Sequence, residues 1–295
     1  MQWQKAKNIV VLFLIAVNII LFFLIQSDTA RTRLSSSQEA AIVSVLNREQ
    51  ISLNTDIGRI NFSPMRRLTL RPVEINHNEV LAIFFDSAEI SHLTRVIDGD
   101  RIIYHTPTSD RVLTLRNSAF EFDDYNRGEI IDFTQSTEEI LLEARRITDE
   151  LVERMGHFSD GFALDIKHYR IGDFINAVYR FSYRGIIIQP NEIRFTITQS
   201  GIRAVEYRFF EPIGHDGESR VIFAPDEILL RFMTDPIINN LKPVIINSID
   251  IVYDFKEEDL NGDVVYAVPS YRINYSGGAR VLAEFLIDAY SNEAR

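Results

Sequence analysis

From Ile9 to Ile25 the chain is apolar at every position except Asn18. No other stretch limits the possible folds as strongly. As a helix rising about 1.5 Å per residue it is roughly 25 Å long, close to a bilayer core of about 30 Å. A lone span can satisfy its backbone polar groups in hydrocarbon only as an intact helix. Lys5 and Lys7 precede the run and can snorkel to the headgroups, and Trp3, the single tryptophan, stands where an interfacial aromatic belongs. The apolar core of a signal peptide is about 7–15 residues and ends at a small-x-small site. Here the run ends in Phe22-Phe23-Leu24-Ile25, and Gln26-Ser27-Asp28-Thr29-Ala30 offers no such site. The expectation is a retained single-pass anchor in the cell membrane. The positive charges of Lys5 and Lys7 put the N-terminus in the cytoplasm and the main domain outside. Arg31 and Arg33 oppose that orientation, but the short tail offsets them because it carries no domain to translocate.

The polar interruption is informative in itself. A mid-span amide is costly unless bonded, and a bond to another helix is worth about 0.6–2 kcal/mol. On a helix, Val11, Leu14, Asn18, Leu21 and Ile25 share one face: either this face is a partner-binding stripe, or the lone Asn is tolerated in the span and does nothing.

Beyond the run the chain is acidic. Every Asp and Glu lies after residue 26, so the outer part is more negative than the whole-chain −11. That disfavours nucleic acid and anionic lipid surfaces as partners. Cysteine is absent, which excludes a disulfide scaffold, a thiolate metal site and a Cys nucleophile. The outer part must therefore hold together by burial alone, for which its length suffices.

Residues 27–37 are polar and read as a stalk, after an anchor region at 1–26. Ser37-Gln38-Glu39 opens a helical pattern with Ala41, Ile42, Val45 and Leu46 on one face. Val80–Phe85 reads as a short apolar strand. Arg101–Thr106 and Arg111–Arg116 read as a hairpin around Pro107-Thr108-Ser109-Asp110, and Phe120 and Phe122 as core positions of a half-buried strand. Ser136 followed by Thr137-Glu138-Glu139 opens a second helix, apolar at Ile140, Leu141, Ala144, Ile147, Leu151 and Met155 and stopped by Gly156. Strands follow over 177–183, 193–198 and 202–210, then a helix from Pro225. Closing strands run over Ser248–Phe255, Tyr266–Tyr275 and Arg280–Tyr290, with hairpin turns at Asn261-Gly262 and Gly277-Gly278. The expected fold is α+β: a transmembrane helix, then two lobes of antiparallel sheet at 38–130 and 131–295, each with helices packed on one face.

Sites for chemistry are scarce in the sequence. Nucleophile-elbow, phosphate-loop, dinucleotide and zincin motifs are absent. His77, His92, His105, His157, His168 and His215 lack metal-ligand spacing. Asp259-Leu260-Asn261-Gly262-Asp263 lacks the distal glutamate of a calcium loop and reads as a turn. The carboxylates at Asp123-Asp124 and Glu257-Glu258-Asp259 read as acidic strand ends rather than a glycosidase pair. The expectation is a non-enzyme with no cofactor, no metal and no small-molecule substrate.

The start, Met1-Gln2-Trp3-Gln4-Lys5-Ala6-Lys7-Asn8-Ile9, running into Phe13–Phe22 with its mid-span Asn18, resembles the YycI (WalI) family. Val268-Pro269-Ser270-Tyr271-Arg272-Ile273-Asn274-Tyr275 followed by Val281–Asp288 resembles the end of a PepSY-like unit. The related YycH is similar in topology but longer. The resemblance implies a regulator without enzyme activity, in complex with a YycH-like protein and a WalK/YycG-like sensor histidine kinase, tuning cell-wall-related two-component signalling. The alternative is an anchored extracytoplasmic domain that binds a ligand or acts on the cell wall.

Overall fold

The computed structural model describes residues 14–15, 17–18, 32–108, 110–125, 131–256, 262–278 and 280–295. The described chain is mixed α+β, dominated by sheet with a few helices. Its order is α1 (Ser36–Arg48), β1 (Ile51–Leu53), β2 (Met65–Pro72), α2 (His77–Phe84), α3 (Ser87–Ile90), β3 (Thr94–Asp98), β4 (Arg101–His105), β5 (Arg111–Arg116) and β6 (Ala119–Asp124). Then come α4 (Thr137–Met155), β7 (Phe162–Ile171), β8 (Phe174–Tyr183), β9 (Ile186–Thr198), β10 (Gly201–Arg208) and β11 (Phe210–Arg220). The chain closes with α5 (Pro225–Thr234), α6 (Pro236–Asn239), β12 (Val244–Asp254), β13 (Val265–Gly277) and β14 (Arg280–Asp288).

The helices begin where side chains can replace missing backbone partners. Ser136 accepts from the Glu139 amide while Glu139 reaches back to the Ser136 amide, a reciprocal cap at the start of α4. Gly156 ends α4 with φ +57°, a conformation that favours glycine. Helix α1 is capped by Ser35 with Gln38, two residues earlier than the sequence pattern suggests. Pro225 opens α5, where its missing N–H costs nothing.

One element differs in kind. Val80–Phe84, expected to be extended, lies in helix α2. Asn76 caps it, accepting from the Asn78 amide, and Glu79 sits in its first turn. Val80, Leu81, Ile83 and Phe84 are all buried, so the unbroken apolar run reflects a helix wrapped in core rather than a strand.

The contacts divide the chain into two units. The first is Met1–Met65, Glu218–Asp250 and Pro269–Arg295; the second is Arg66–Gly217 and Ile251–Val268. Within the first, β1 pairs with β12 in parallel, Ile51 opposite Val244, and β13 with β14 antiparallel. Helix α1 packs on α5. Phe232 of α5 meets Tyr275 and Phe285 edge-on, at 5.5 Å and 5.3 Å between centroids. Gly277 and Gly278 turn β13 into β14, and the antiparallel register Gly277↔Arg280 matches the expected hairpin.

Within the second unit the strands follow the order β3-β4-β5-β6-β10-β9-β8-β7, every neighbouring pair antiparallel. Phe120 pairs with Tyr207 and Phe122 with Val205 across β6 and β10. The segments before and after residues 126–136 thus share one sheet. Helix α4 packs against β7, β10 and α2. Its buried stripe of Ile140, Ala144, Ile147, Leu151 and Met155 joins Ile193, Phe195, Ile197, Val205 and Tyr207 in one core. Phe84 stacks on Phe122 at 4.2 Å and Phe120 on Tyr207 at 4.7 Å. One parallel register, Tyr253↔Ile188, also joins β12 to β9 in this unit. The sheets are therefore mixed rather than purely antiparallel. Parallel pairing needs long crossovers, and no local turn signal announces it.

A Cβ on Gly277 would lie 2.9 Å from Val244 Cγ2, 3.0 Å from the Pro243 carbonyl and 3.1 Å from that of Leu241. Gly277→Ala is expected to destabilise the chain by about 1–3 kcal/mol, because two of the three obstacles are backbone. Urea denaturation reads this; an unchanged midpoint would contradict the tight approach.

Candidate functional site

Leu14 and Asn18 are the only members of the predicted membrane stripe among the described residues. Both are helical, and the Asn18 amide donates to the Leu14 carbonyl at 2.9 Å. This bond uses one of the two amide donors of Asn18 within the helix. Val11, Leu21 and Ile25, and the interface anchors Trp3, Lys5 and Lys7, lie outside the described residues. Among the described residues no helix is long and apolar enough to cross a membrane.

A dense set of charges lies in the second unit, on the sheet face opposite the helices. Strand alternation sends the apolar residues of β5, β6, β8, β9 and β10 toward α4 and their polar neighbours the other way. One row across the strands reads Thr114, Glu121, Glu206, Arg194; the next reads Arg116, Ala119, Arg208, Glu192, Arg180. Arg180 is buried, with its side chain 1% exposed. It donates to Asp165 of β7 at 2.7 Å and to Glu192 of β9 at 3.2 Å. Glu192 also accepts from Arg194 at 2.9 Å.

Glu121 and Glu206 face each other in register, an unfavourable pairing of like charges. The Glu206 carboxyl titrates above its usual range. Burial is the main cause; Arg194 and Arg208 pull it down, while Glu121 and Glu192 push it up. A groove of ≈ 300 Å³ opens here, lined by Thr114, Arg116, Glu121, Glu192, Glu206 and Arg208.

The first unit repeats the arrangement. Arg272 on β13, its side chain 3% exposed, lies between Asp250 of β12 at 3.2 Å and Glu284 of β14 at 3.6 Å. Asn274 donates to Ser248 at 2.8 Å beside it. Each unit thus holds an arginine on one strand clasped by carboxylates from the strands on either side. Sequence reading missed both. An Arg amid strand formers, in Val178-Tyr179-Arg180-Phe181 and Tyr271-Arg272-Ile273, was the available signal.

Among the described residues, the two carboxylates weighed for catalysis do not converge. Asp123 and Asp124 are consecutive on β6 and so point to opposite faces. Asp123 pairs with Arg203 at 3.5 Å, and burial raises its pKa against the pull of that guanidinium. Asp124 is buried 3.6 Å from Arg111, which also binds Glu89 and the Phe84 carbonyl. Glu257, Glu258, Asp259, Leu260 and Asn261 lie outside the described residues. His157 faces Glu79 at 3.3 Å and His215 faces the Tyr253 hydroxyl at 3.1 Å. Among the described residues no cluster of three or more His, Cys, Asp or Glu could hold a metal.

No family model matches this chain, and no curated protein does. Among solved structures it is similar to a protein from Eubacterium rectale ATCC 33656, described as uncharacterized. That match has a TM-score of 0.49 at 10% identity and covers 83% of this chain and 90% of the other. It is also similar to the C-terminal domain of Bacillus megaterium YpeB, with a TM-score of 0.39 at 8% identity, over 75% of this chain and 96% of that one.

Two outcomes follow from the charged face. Arg180→Met leaves Asp165 and Glu192 without their shared cation, and is expected to cost about 3–5 kcal/mol in chemical denaturation. A loss near zero would show the clasp to be idle. For Glu206 the folded state holds the proton more tightly than the unfolded state. Its contribution is therefore present in acid and lost as pH rises through the raised folded-state pKa. Glu206→Gln should be more stable than the parent at neutral pH, and the gap should close on acidification to below about pH 4. A gap that persists in acid would contradict the shift.

Proposed function

We propose that this chain is a non-enzymatic, single-pass membrane regulator of the YycI type, tuning a WalK/YycG-like sensor histidine kinase in complex with a YycH-like partner. The observation that carries the reading is the Ile9–Ile25 run, flanked by Trp3, Lys5 and Lys7 and interrupted only at Asn18. An anchor built only for retention has no use for an amide at mid-span, whereas an anchor that packs against other helices does. The stripe of Val11, Leu14, Asn18, Leu21 and Ile25 supplies the packing surface. The acidic outer part, a mixed α+β fold dominated by sheet, supplies a second contact outside the cytoplasmic membrane. Its two arginine–carboxylate clasps, at Arg180 and Arg272, support a structural rather than a reactive role for those groups. Control of a kinase requires that the helix contact two kinase states unequally, since equal packing on both shifts nothing.

Asn18→Leu should weaken association with the kinase and the YycH-like protein in a membrane two-hybrid assay, by about threefold to thirtyfold for one interhelical hydrogen bond. Unchanged association would remove Asn18 from the contact. Exchanging residues 1–26 for an unrelated span should abolish control of kinase output while leaving the chain in the membrane. Retained control would move the function to the outer domain.

A further inference from the structure

Strand β3 stands apart from the rest of its sheet. All five of its residues, Thr94–Asp98, are exposed, and among the described residues it pairs only with β4. Its apolar side chains are not covered: Val96 is 43% exposed and Ile97 65%. Edge strands are normally blunted by charge, shortness or cover, because an unpaired edge is a template for another strand. Here Arg95 and Asp98 supply some charge, but the two residues between them leave an apolar edge.

The hairpin geometry shows which backbone groups face outward. Gly99 and Asp100 form a two-residue turn, with Gly99 at φ +61° and Asp98 opposite Arg101. In such a hairpin the pair flanking the turn is hydrogen-bonded, and bonded pairs alternate along the ladder. Asp98, Val96 and Thr94 therefore bond to β4. The N–H and C=O groups of Arg95 and Ile97 point away from it.

The same two residues carry the side chains on the helix-covered face, opposite Tyr104 and Ile102. Beside Arg95 a groove of ≈ 580 Å³ opens, lined by Glu74, Asn76, His77, Asn78, Arg95 and Tyr104. It lies at the N-terminus of α2, which Asn76 caps and whose partial positive charge Glu79 offsets in the first turn. Arg95 is the one guanidinium of the lining and Glu74 its one acidic group, and Arg95 alone of the two belongs to the strand edge.

We infer that β3 is a strand-addition edge that takes an extended segment of a partner protein. The segment carries an acidic side chain opposite Arg95 and an apolar one opposite Ile97. Backbone bonds to Arg95 and Ile97 provide the attachment, and the groove beside Arg95 provides the selectivity. The inference rests on the edge and the groove beside it, and stands whether or not the anchor reading holds.

The test uses the full chain in detergent and two short acetylated peptides of alternating Val and Thr, one with a central Glu and one with a central Lys. Hydrogen exchange over residues 94–98 is the readout. The Glu peptide should slow exchange there and bind about threefold more tightly than the Lys peptide, the scale of an exposed ion pair. Ile97→Pro removes one outward N–H without touching the bonds to β4, so it should abolish protection while the amides of β4 stay protected. Arg95→Glu should reverse the preference between the peptides. Absence of protection by either peptide, equal protection by both, or protection that survives Ile97→Pro would each overturn the inference. So would concentration-dependent protection of 94–98 without any peptide, which would make a second copy of the chain the occupant.

Discussion

A guanidinium held between carboxylates of two flanking strands is the interaction on which both sheets depend. Arg180 draws β7 and β9 to β8, and Arg272 draws β12 and β14 to β13. A one-residue slip of any of these strands would send its carboxylate to the opposite face and leave a buried cation behind, a penalty of several kcal/mol. Such clasps contribute little net stability compared with apolar packing, because desolvation offsets the attraction. What they supply is register. The antiparallel strands then hold Phe195, Val205 and Tyr207 under α4 in one arrangement and the polar rows of β6, β9 and β10 in another.

That economy bears on function. The charges of the outer face are largely used among themselves: Glu192 serves Arg180 and Arg194, and Asp123 serves Arg203. Among the described residues, the feature left facing outward is of a different kind, the edge of β3, which pairs only with β4. Such an edge is able to take another polypeptide through backbone hydrogen bonds. A regulator that works by contact needs such surfaces.

Much of the local structure was legible because it is written in neighbouring residues. Helix α4 declares itself through Ser136 and Glu139, its stripe from Ile140 to Met155, and Gly156. The hairpins at Arg101–Arg116 and Gly277-Gly278 declare themselves through turn residues between alternating strands. Helix α2 did not, because Val80–Phe85 is apolar throughout and a fully buried segment has no periodicity to read. The pair Asn76 and Glu79, spaced as a helix cap, was the discriminating signal. The parallel pairings of β1 with β12 and β12 with β9 were invisible, as was the joining of β6 to β10, since each brings together segments far apart in sequence. The buried arginines were hidden for the same reason: a cation in a strand reads as solvent-facing until its two carboxylates arrive from other strands.

The central claim is that the membrane segment is retained and acts as a docking surface. The direct measurement is to express the full chain and a secreted form beginning after residue 30, and to compare their ability to restore kinase control in a strain lacking the protein. The account predicts that the full chain stays in the membrane fraction with its first residues intact and restores control, and that the secreted form folds but does not. A released, shortened form that restores control fully would contradict it.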